Sequence, residues 1–186
     1  MKNINILLAE HQVFETDRLI LRKVELTDAT DIFEYCSNPE VVKSLTISPH
    51  ETIDVSKDGI VNYFMSNRLT SWAIVDKESQ KMIGTIDMRI TGSQASFGWV
   101  LNDKFWGKGL MPEAAKCLRD FAFDVLNFQV LTADHMSENV KSGRVMEKIG
   151  MKKTGQIYLY MNKLKKSVLC DYYALTKEEY DEIKNK

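Results

Sequence analysis

Val100 to Met111 read VLNDKFWGKGLM, and these residue types in this order suit the binding of an anion. An alternating stretch ends there, glycines follow at 107 and 109, and a helical pattern begins at Leu110. Glycine lets backbone N–H groups approach a ligand with no Cβ in the way. A helix N-terminus offers unpaired N–H donors at the positive end of its dipole. Together they favour phosphates, and Lys104 and Lys108 add positive charge nearby. The same glycine-lysine-glycine run also describes a tight turn. It is not a P-loop, because GxxxxGK followed by Ser or Thr is absent. The third glycine of a dinucleotide fingerprint is absent as well.

Other reactive residue types are sparse. Cys36, Cys117 and Cys170 lie far apart without a CxxC, and their odd number argues against a disulfide framework. His11, His50 and His135 show no metal-ligand spacing, so no metal is expected. Cys117 falls on an apolar helical face and reads as core. Trp72, Trp99 and Trp106 read as packing, with Trp106 alternatively flanking a ligand channel.

These residues need elements to hold them. RLILRKV at 18–24 is rich in strand formers, and Thr27 is placed to cap a helix that Asn38-Pro39 stops. A second helix is expected over 52–67. Residues 71–75, 82–90 and 95–101 then read as three strands with short links, an antiparallel meander. Leu110, Ala114, Cys117 and Phe121 repeat at helical spacing, and Pro112 and Glu113 suit a first turn. A strand over 128–133 precedes a helix opened by Ser137 or Asn139 and closed by Gly150. Strands near 152–161 and 167–175 follow, with Lys163 to Lys166 as a solvated turn between them. Thr176 and Glu179 form a capping-box pattern for a last short helix. The order β-α-α-β-β-β-α-β-α-β-β describes an α+β or mixed-sheet domain.

The 186 residues suit one domain, taken as 14–186 with residues 1–13 as an extension. Hydrophobic residues at 44% and charged residues at 27% are ordinary for a globular chain. A net charge of −1 lacks the basic field of a nucleic-acid binder. No apolar run approaches the ~20 residues of a membrane span, and MKNINILLAE is a poor signal sequence. A cytoplasmic protein without membrane or nucleic-acid partners is the expectation.

The run Lys104-Phe105-Trp106-Gly107-Lys108-Gly109 resembles the Q/R-x-x-G-x-G/A pyrophosphate loop of the GNAT superfamily of N-acetyltransferases. Asn139-Val140-Lys141-Ser142 followed by Val145-Met146-Glu147-Lys148-Ile149-Gly150-Met151 is similar to a second run of that superfamily. Met111-Pro112-Glu113-Ala114-Ala115, the opening Thr16 to Arg22 and Asn38 to Val42 look like the ribosomal-protein N-terminal acetyltransferase branch. The likeness covers about residues 15–176, in the expected order. It implies a mixed, mostly antiparallel twisted sheet flanked by helices, with strands 95–101 and 128–134 splayed around acetyl-CoA. Backbone groups of Val100, Leu101 and Asn102 would pair with the pantetheine arm. The N–H groups of Phe105, Trp106, Gly107, Lys108, Gly109, Leu110 and Met111 would hold the pyrophosphate. Asn139 and Ser142 would contact the pantetheine end, with Ser142 also protonating the leaving thiolate. The acetyl group would pass directly to a primary amine, on a protein N-terminus or a small molecule. Homodimers are common in that superfamily, so a homodimer is among the expected states.

Three positions depart from the pattern. Lys104 replaces Gln or Arg and loses the planar fork of arginine. Met151 replaces Phe. Ser96 stands where many relatives carry Glu, and a serine is no effective base at neutral pH. Met146 occupies the place where another branch has a tyrosine acid. The general base is therefore open among Asp87, Asp134 and a water chain, and His135 also stands near the expected acceptor side. A CoA-binding regulatory or sensor domain is the second reading, and a nucleotide-binding protein the third.

Overall fold

The computed structural model describes residues 3–185; residues 1, 2 and 186 of the expected bounds lie outside the described residues. One eight-stranded sheet runs β1-β2-β3-β4-β5-β6-β8-β7. Its strands are β1 (Phe14–Glu15), β2 (Leu19–Arg22), β3 (Ser71–Asp76), β4 (Met82–Thr91), β5 (Gln94–Leu101), β6 (Val130–Met136), β7 (Lys152–Met161) and β8 (Lys166–Thr176). The meander β3-β4-β5 is antiparallel as read from the sequence. All six residues of β3 are buried, as befits the middle of a sheet covered on both faces.

The helices divide between those faces. Leu8 of α1 (Ile4–Glu10), Leu118 and Phe121 of α5 (Leu110–Asp124), Met146 of α6 (Val140–Lys148) and Tyr180 of α7 (Lys177–Lys184) share a core with Leu21, Ile74 and Phe97. On the opposite face, α2 (Ala29–Cys36) and α3 (Pro39–Val42) pack with Ile60 against Ala73, Val75 and Met82. The expected extension is thus tied in: Leu8 is 1% exposed, and His11 lies against Phe14 and Phe121.

Several local expectations need adjusting. Thr27 sits inside a 3-10 turn, Leu26–Asp28, and the Asp28 carboxylate accepts from the Glu25 N–H instead. The helix expected over 52–67 is α4 (Ile53–Gly59), capped by Thr52, and then widens into a π-helical segment, Ile60–Met65. Lys163 is no solvated turn residue. Its Nζ donates to the carbonyls of Val42 at 2.7 Å and Leu45 at 3.4 Å, joining the last hairpin to the end of α3. The Thr176–Glu179 capping box forms as written in the sequence. Among the described residues no helix is long and apolar enough to cross a membrane.

The feature that matters most is the pair β5 and β6. They run parallel and pair only at Gln94↔Val130, Ala95↔Leu131 and Ser96↔Thr132. Both strands then continue, to Leu101 and Met136, without pairing to each other. The other side of β5 is held tightly against β4. A Cβ on Gly84 would stand 2.3 Å from the Val100 carbonyl oxygen. Gly84→Ala is therefore expected to destabilise by about 1–3 kcal/mol through overpacking. Gly155→Ala, where nothing lies within 4 Å, is expected to be near neutral. Urea unfolding of the two variants beside the wild type checks both.

Candidate cofactor and acceptor site

Alternation along β5 decides which backbone groups face the gap. The Asn102 N–H goes to the Ile83 carbonyl at 2.8 Å, and the Val100 carbonyl faces Gly84, so both residues turn toward β4. Ser93 accepts from Gln129 N–H, which puts the odd-numbered residues toward β6. Past the last rung those are Phe97, Trp99 and Leu101. The Phe97 carbonyl accepts from the Arg89 guanidinium at 3.0 Å. The Leu101 carbonyl accepts from the Trp106 indole at 2.8 Å. Of the expected backbone contacts, Leu101 faces the gap whereas Val100 and Asn102 do not.

The glycine loop begins at the wide end of this fork. Asn102 caps it by accepting from the Lys104 N–H at 3.0 Å. The N–H groups of Phe105 and Trp106 close a 3-10 turn onto the Asn102 and Asp103 carbonyls, so they are already used. Those of Gly107, Lys108, Gly109, Leu110 and Met111 have no partner among the described residues. Gly107 and Gly109 both sit at φ +76°, a conformation that glycine adopts at no steric cost. Successive free N–H groups leading into a helix form a fitting cradle for a diphosphate.

A network that the sequence did not disclose fixes this cradle. Glu113, in the first turn of α5, accepts from Thr16 Oγ at 2.6 Å and from the Arg18 N–H at 3.0 Å. The Arg18 guanidinium pairs with Glu113 at 2.6 Å and donates to the Lys108 carbonyl at 2.9 Å. Burial pushes the Glu113 carboxyl up, but the bonds from Thr16 and Arg18 outweigh it and hold the group below its ordinary value. Lys104 turns away from the cradle to Glu34 on α2, at 2.9 Å. Lys108 leans over the Phe105 ring at 4.8 Å.

The start of α6 reaches back across the gap. Asn139 is its N-cap, its side chain accepting from the Ser142 N–H at 3.4 Å. The Ser142 hydroxyl oxygen accepts from the Trp99 indole N–H on β5 at 3.2 Å. Lys141 Nζ stands 3.8 Å from the centre of the Trp106 ring. Two side-chain contacts thus tie the helix after β6 to the strand and loop of β5. His135 is buried, its Nδ1 bonded to the Met136 carbonyl at 2.8 Å, with Nε2 turned toward Gly143. That places it inside the α6 packing.

On the face of α2 and α3, the candidate bases separate. Asp87 and Gly98 are register partners, and the Asp87 Oδ1 lies 2.7 Å from where a Gly98 Cβ would be. Tyr63 donates to its Oδ2 at 3.1 Å and Arg89 stands 3.5 Å away. Burial raises the Asp87 carboxyl above its ordinary value, against the lowering effect of Arg89 and Tyr63. Ser96 pairs with Thr132 at the last rung of the fork. Asp134 lies on β6 two residues past that rung, and its other neighbour is Tyr172 on β8.

The family model for the acetyltransferase (GNAT) domain matches residues 18–152. An N-acetyltransferase of Bacillus licheniformis, p20, is 30% identical over 171 residues, 89% of this chain and 96% of that protein. A GNAT-family acetyltransferase structure from Bacillus anthracis superposes with a TM-score of 0.80 at 25% identity, covering 89% of this chain and 99% of the other. The fold also matches a spermidine N-acetyltransferase of Vibrio cholerae in complex with CoA and spermine, at TM-score 0.71 and 18% identity, with 89% and 99% coverage.

Glu113 allows a pH test of the cradle. A carboxylate with a depressed folded pKa adds stability above its unfolded value, and that stability is lost as pH falls through the folded one. Glu113→Gln is expected to cost about 1.5–3 kcal/mol at pH 7, the range of a hydrogen bond to a charged group. The difference from wild type should shrink as pH falls below the ordinary carboxylate range. Urea unfolding at pH 7 and in acid measures both.

Proposed function

The chain belongs to the GNAT family of acetyltransferases, enzymes that act on amines, and from that premise we propose that it moves an acetyl group from acetyl-CoA directly to a primary amine. The observation that carries this reading is the fork between β5 and β6 opening onto five free loop N–H groups. Gly107 to Met111 would hold the pyrophosphate, with Arg18 and Glu113 keeping the loop in shape. The backbone of Trp99 and Leu101 would extend a ladder to the pantetheine amides, since those residues face the gap. The pantetheine arm would then run from the wide end down the fork and bring the thioester toward Gly98, with Asn139 and Ser142 on the α6 side.

Direct transfer asks three things of the protein: removal of an ammonium proton, stabilisation of the oxyanion and protonation of the thiolate. Ser142 suits the third. Its oxygen accepts from the Trp99 indole, which leaves its own O–H free to donate. Accepting that bond also makes the hydroxyl a better acid, because the indole stabilises charge left on its oxygen. The acceptor amine belongs to a small molecule or a protein N-terminus. The Vibrio cholerae structure of the same fold, with CoA and spermine, supports a small-molecule amine. A CoA-binding sensor without turnover is the second reading, favoured by Ser96 in place of a carboxylate.

The deciding experiment is incubation with acetyl-CoA and a panel of N-terminal peptides, polyamines and amino sugars, read by mass spectrometry. An acetylated product is expected on one class. A thermal shift with CoA and no product would favour the sensor, and no shift would remove the cofactor assignment. Ser142→Ala is expected to lower kcat by roughly 10²-fold, the lower range for an acid catalyst, while the CoA dissociation constant moves less than about threefold. Equal loss in both would mark Ser142 as a binding contact.

A further inference from the structure

A cavity of about 460 Å³ opens on the face of the sheet that carries the π-helical segment. Asn5, Tyr63, Asn67, Thr70, Asp87 and Arg89 supply its polar wall. Asp87 connects it to the fork, since its carboxylate overhangs Gly98, two residues beyond Ser96, the last residue that holds β5 to β6. We propose that this cavity receives the acceptor amine and that Asp87 takes its proton. The proposal rests on the acetyltransferase reading above and adds to it a base and an acceptor class.

Three observations converge on Asp87. First, it is placed by two elements: β4 fixes its register opposite Gly98, and Tyr63 on the π-helical segment orients one oxygen at 3.1 Å. Local π-helical turns are frequent at functional sites, and here the widening brings Tyr63 onto the carboxylate. Second, Gly98 leaves the other oxygen room above β5, where any side chain would collide with it at 2.7 Å. Third, Ser96 on the same face of β5 has no proton-accepting power, and of the two carboxylates that border the fork, Asp87 and Asp134, Asp87 is the one that overhangs β5 and lines the cavity. Its surroundings keep it useful as a base. Burial raises its proton affinity, while Arg89 and the Tyr63 hydroxyl oppose the rise; its register partners Ser71 and Gly98 carry no charge.

The protons balance. The ammonium gives one proton to the Asp87 carboxylate, and the freed nitrogen pair forms the N–C bond to the thioester carbonyl. The C–S bond breaks with its pair on sulfur. The second N–H proton leaves as the amide forms, and the thiolate gains one, supplied through the Ser142 hydroxyl. One proton is released to water in net, by way of Asp87. The wall charges also select the acceptor. Asp87 and Arg89 are opposite in sign and 3.5 Å apart, so the cavity suits one ammonium group and gives no second anion to a polycation.

The test compares wild type, Asp87→Asn, Tyr63→Phe and Arg89→Gln by kcat/KM against pH, with CoA affinity measured in parallel. For Asp87→Asn, kcat/KM is expected to fall by about 10²- to 10⁴-fold, the usual contribution of a general base, with CoA affinity unchanged. The residual rate should climb with pH in step with the free amine. Tyr63→Phe and Arg89→Gln each remove a group that lowers the proton affinity of Asp87. Both should therefore move the acidic limb of the profile toward higher pH, which keeps the test decisive if Asp87→Asn does not fold. A peptide N-terminus or another single amine should be used better than spermidine, and Arg89→Gln should narrow that gap. Unshifted limbs in Tyr63→Phe and Arg89→Gln, or Asp87→Asn within twofold of wild type, would overturn the role of Asp87 and leave the acetyltransferase reading intact. Preference of the wild type for spermidine would overturn the acceptor class. Wild-type protein that binds CoA and acetylates no amine would defeat the acetyltransferase reading and this one with it.

Discussion

Two strands that stop pairing after three rungs leave polar backbone with no neighbour. Buried N–H and C=O groups need partners, so the fork constrains everything placed around it. Two of the carbonyls on the open edge of β5 are answered by side chains, Phe97 by Arg89 and Leu101 by Trp106. Each answer has a consequence elsewhere. Arg89, held by the Phe97 carbonyl, becomes the cation beside Asp87. Trp106, held by the Leu101 carbonyl, presents its ring to Lys141 and so links the glycine loop to α6. The open edge between them is then short, rigid and aimed along the fork.

The loop at the wide end faces a second constraint. A run of unpartnered N–H groups has no internal bonds to keep its shape, so the shape must come from outside. Glu113 and Arg18, 95 residues apart in sequence, provide it through five polar contacts that include the Lys108 carbonyl. Because the anchor uses the carbonyl of Lys108 and the side chain of Glu113, it leaves the N–H groups free. Rigidity obtained this way lowers the ordering cost of binding without occupying a donor.

The sequence disclosed what depends on neighbours along the chain. Leu110, Ala114, Cys117 and Phe121 mark α5 by their spacing, and all but the half-buried Cys117 are buried. Gly150, at φ +91°, and the Thr176–Glu179 box end and begin helices as their types require. The meander and the glycine loop were legible for the same reason. What stayed hidden depends on register or on distant pairing. The Arg18–Glu113 link spans 95 residues. The placement of Asp87 over Gly98 follows from how β4 slides along β5, and no single-strand pattern fixes that. Alternation fixed that alternate residues of β5 share a side but not which side meets the gap; the Asn102–Ile83 bond decides it. The helix α1 is too short to show a stripe, and its anchoring through Leu8 is a tertiary fact.

Lys104 shows how a departure from a family pattern can be absorbed. A lysine in place of a forked side chain offers a poorer grip on a phosphate, and here it makes no attempt at one. It pairs with Glu34, which Lys81 also contacts. Those two lysines, with Lys81 the stronger influence, hold the Glu34 carboxyl down to about 2. Without them an uncompensated carboxylate would stand beside Asn102, where the loop begins. Lys104 therefore serves the anion indirectly, by cancelling an opposing charge. Direct attraction then falls to the loop N–H groups, the helix dipole and Lys108. That division suits a loop in which position matters more than net charge, because oriented N–H groups act only at short range and only on an anion seated among them.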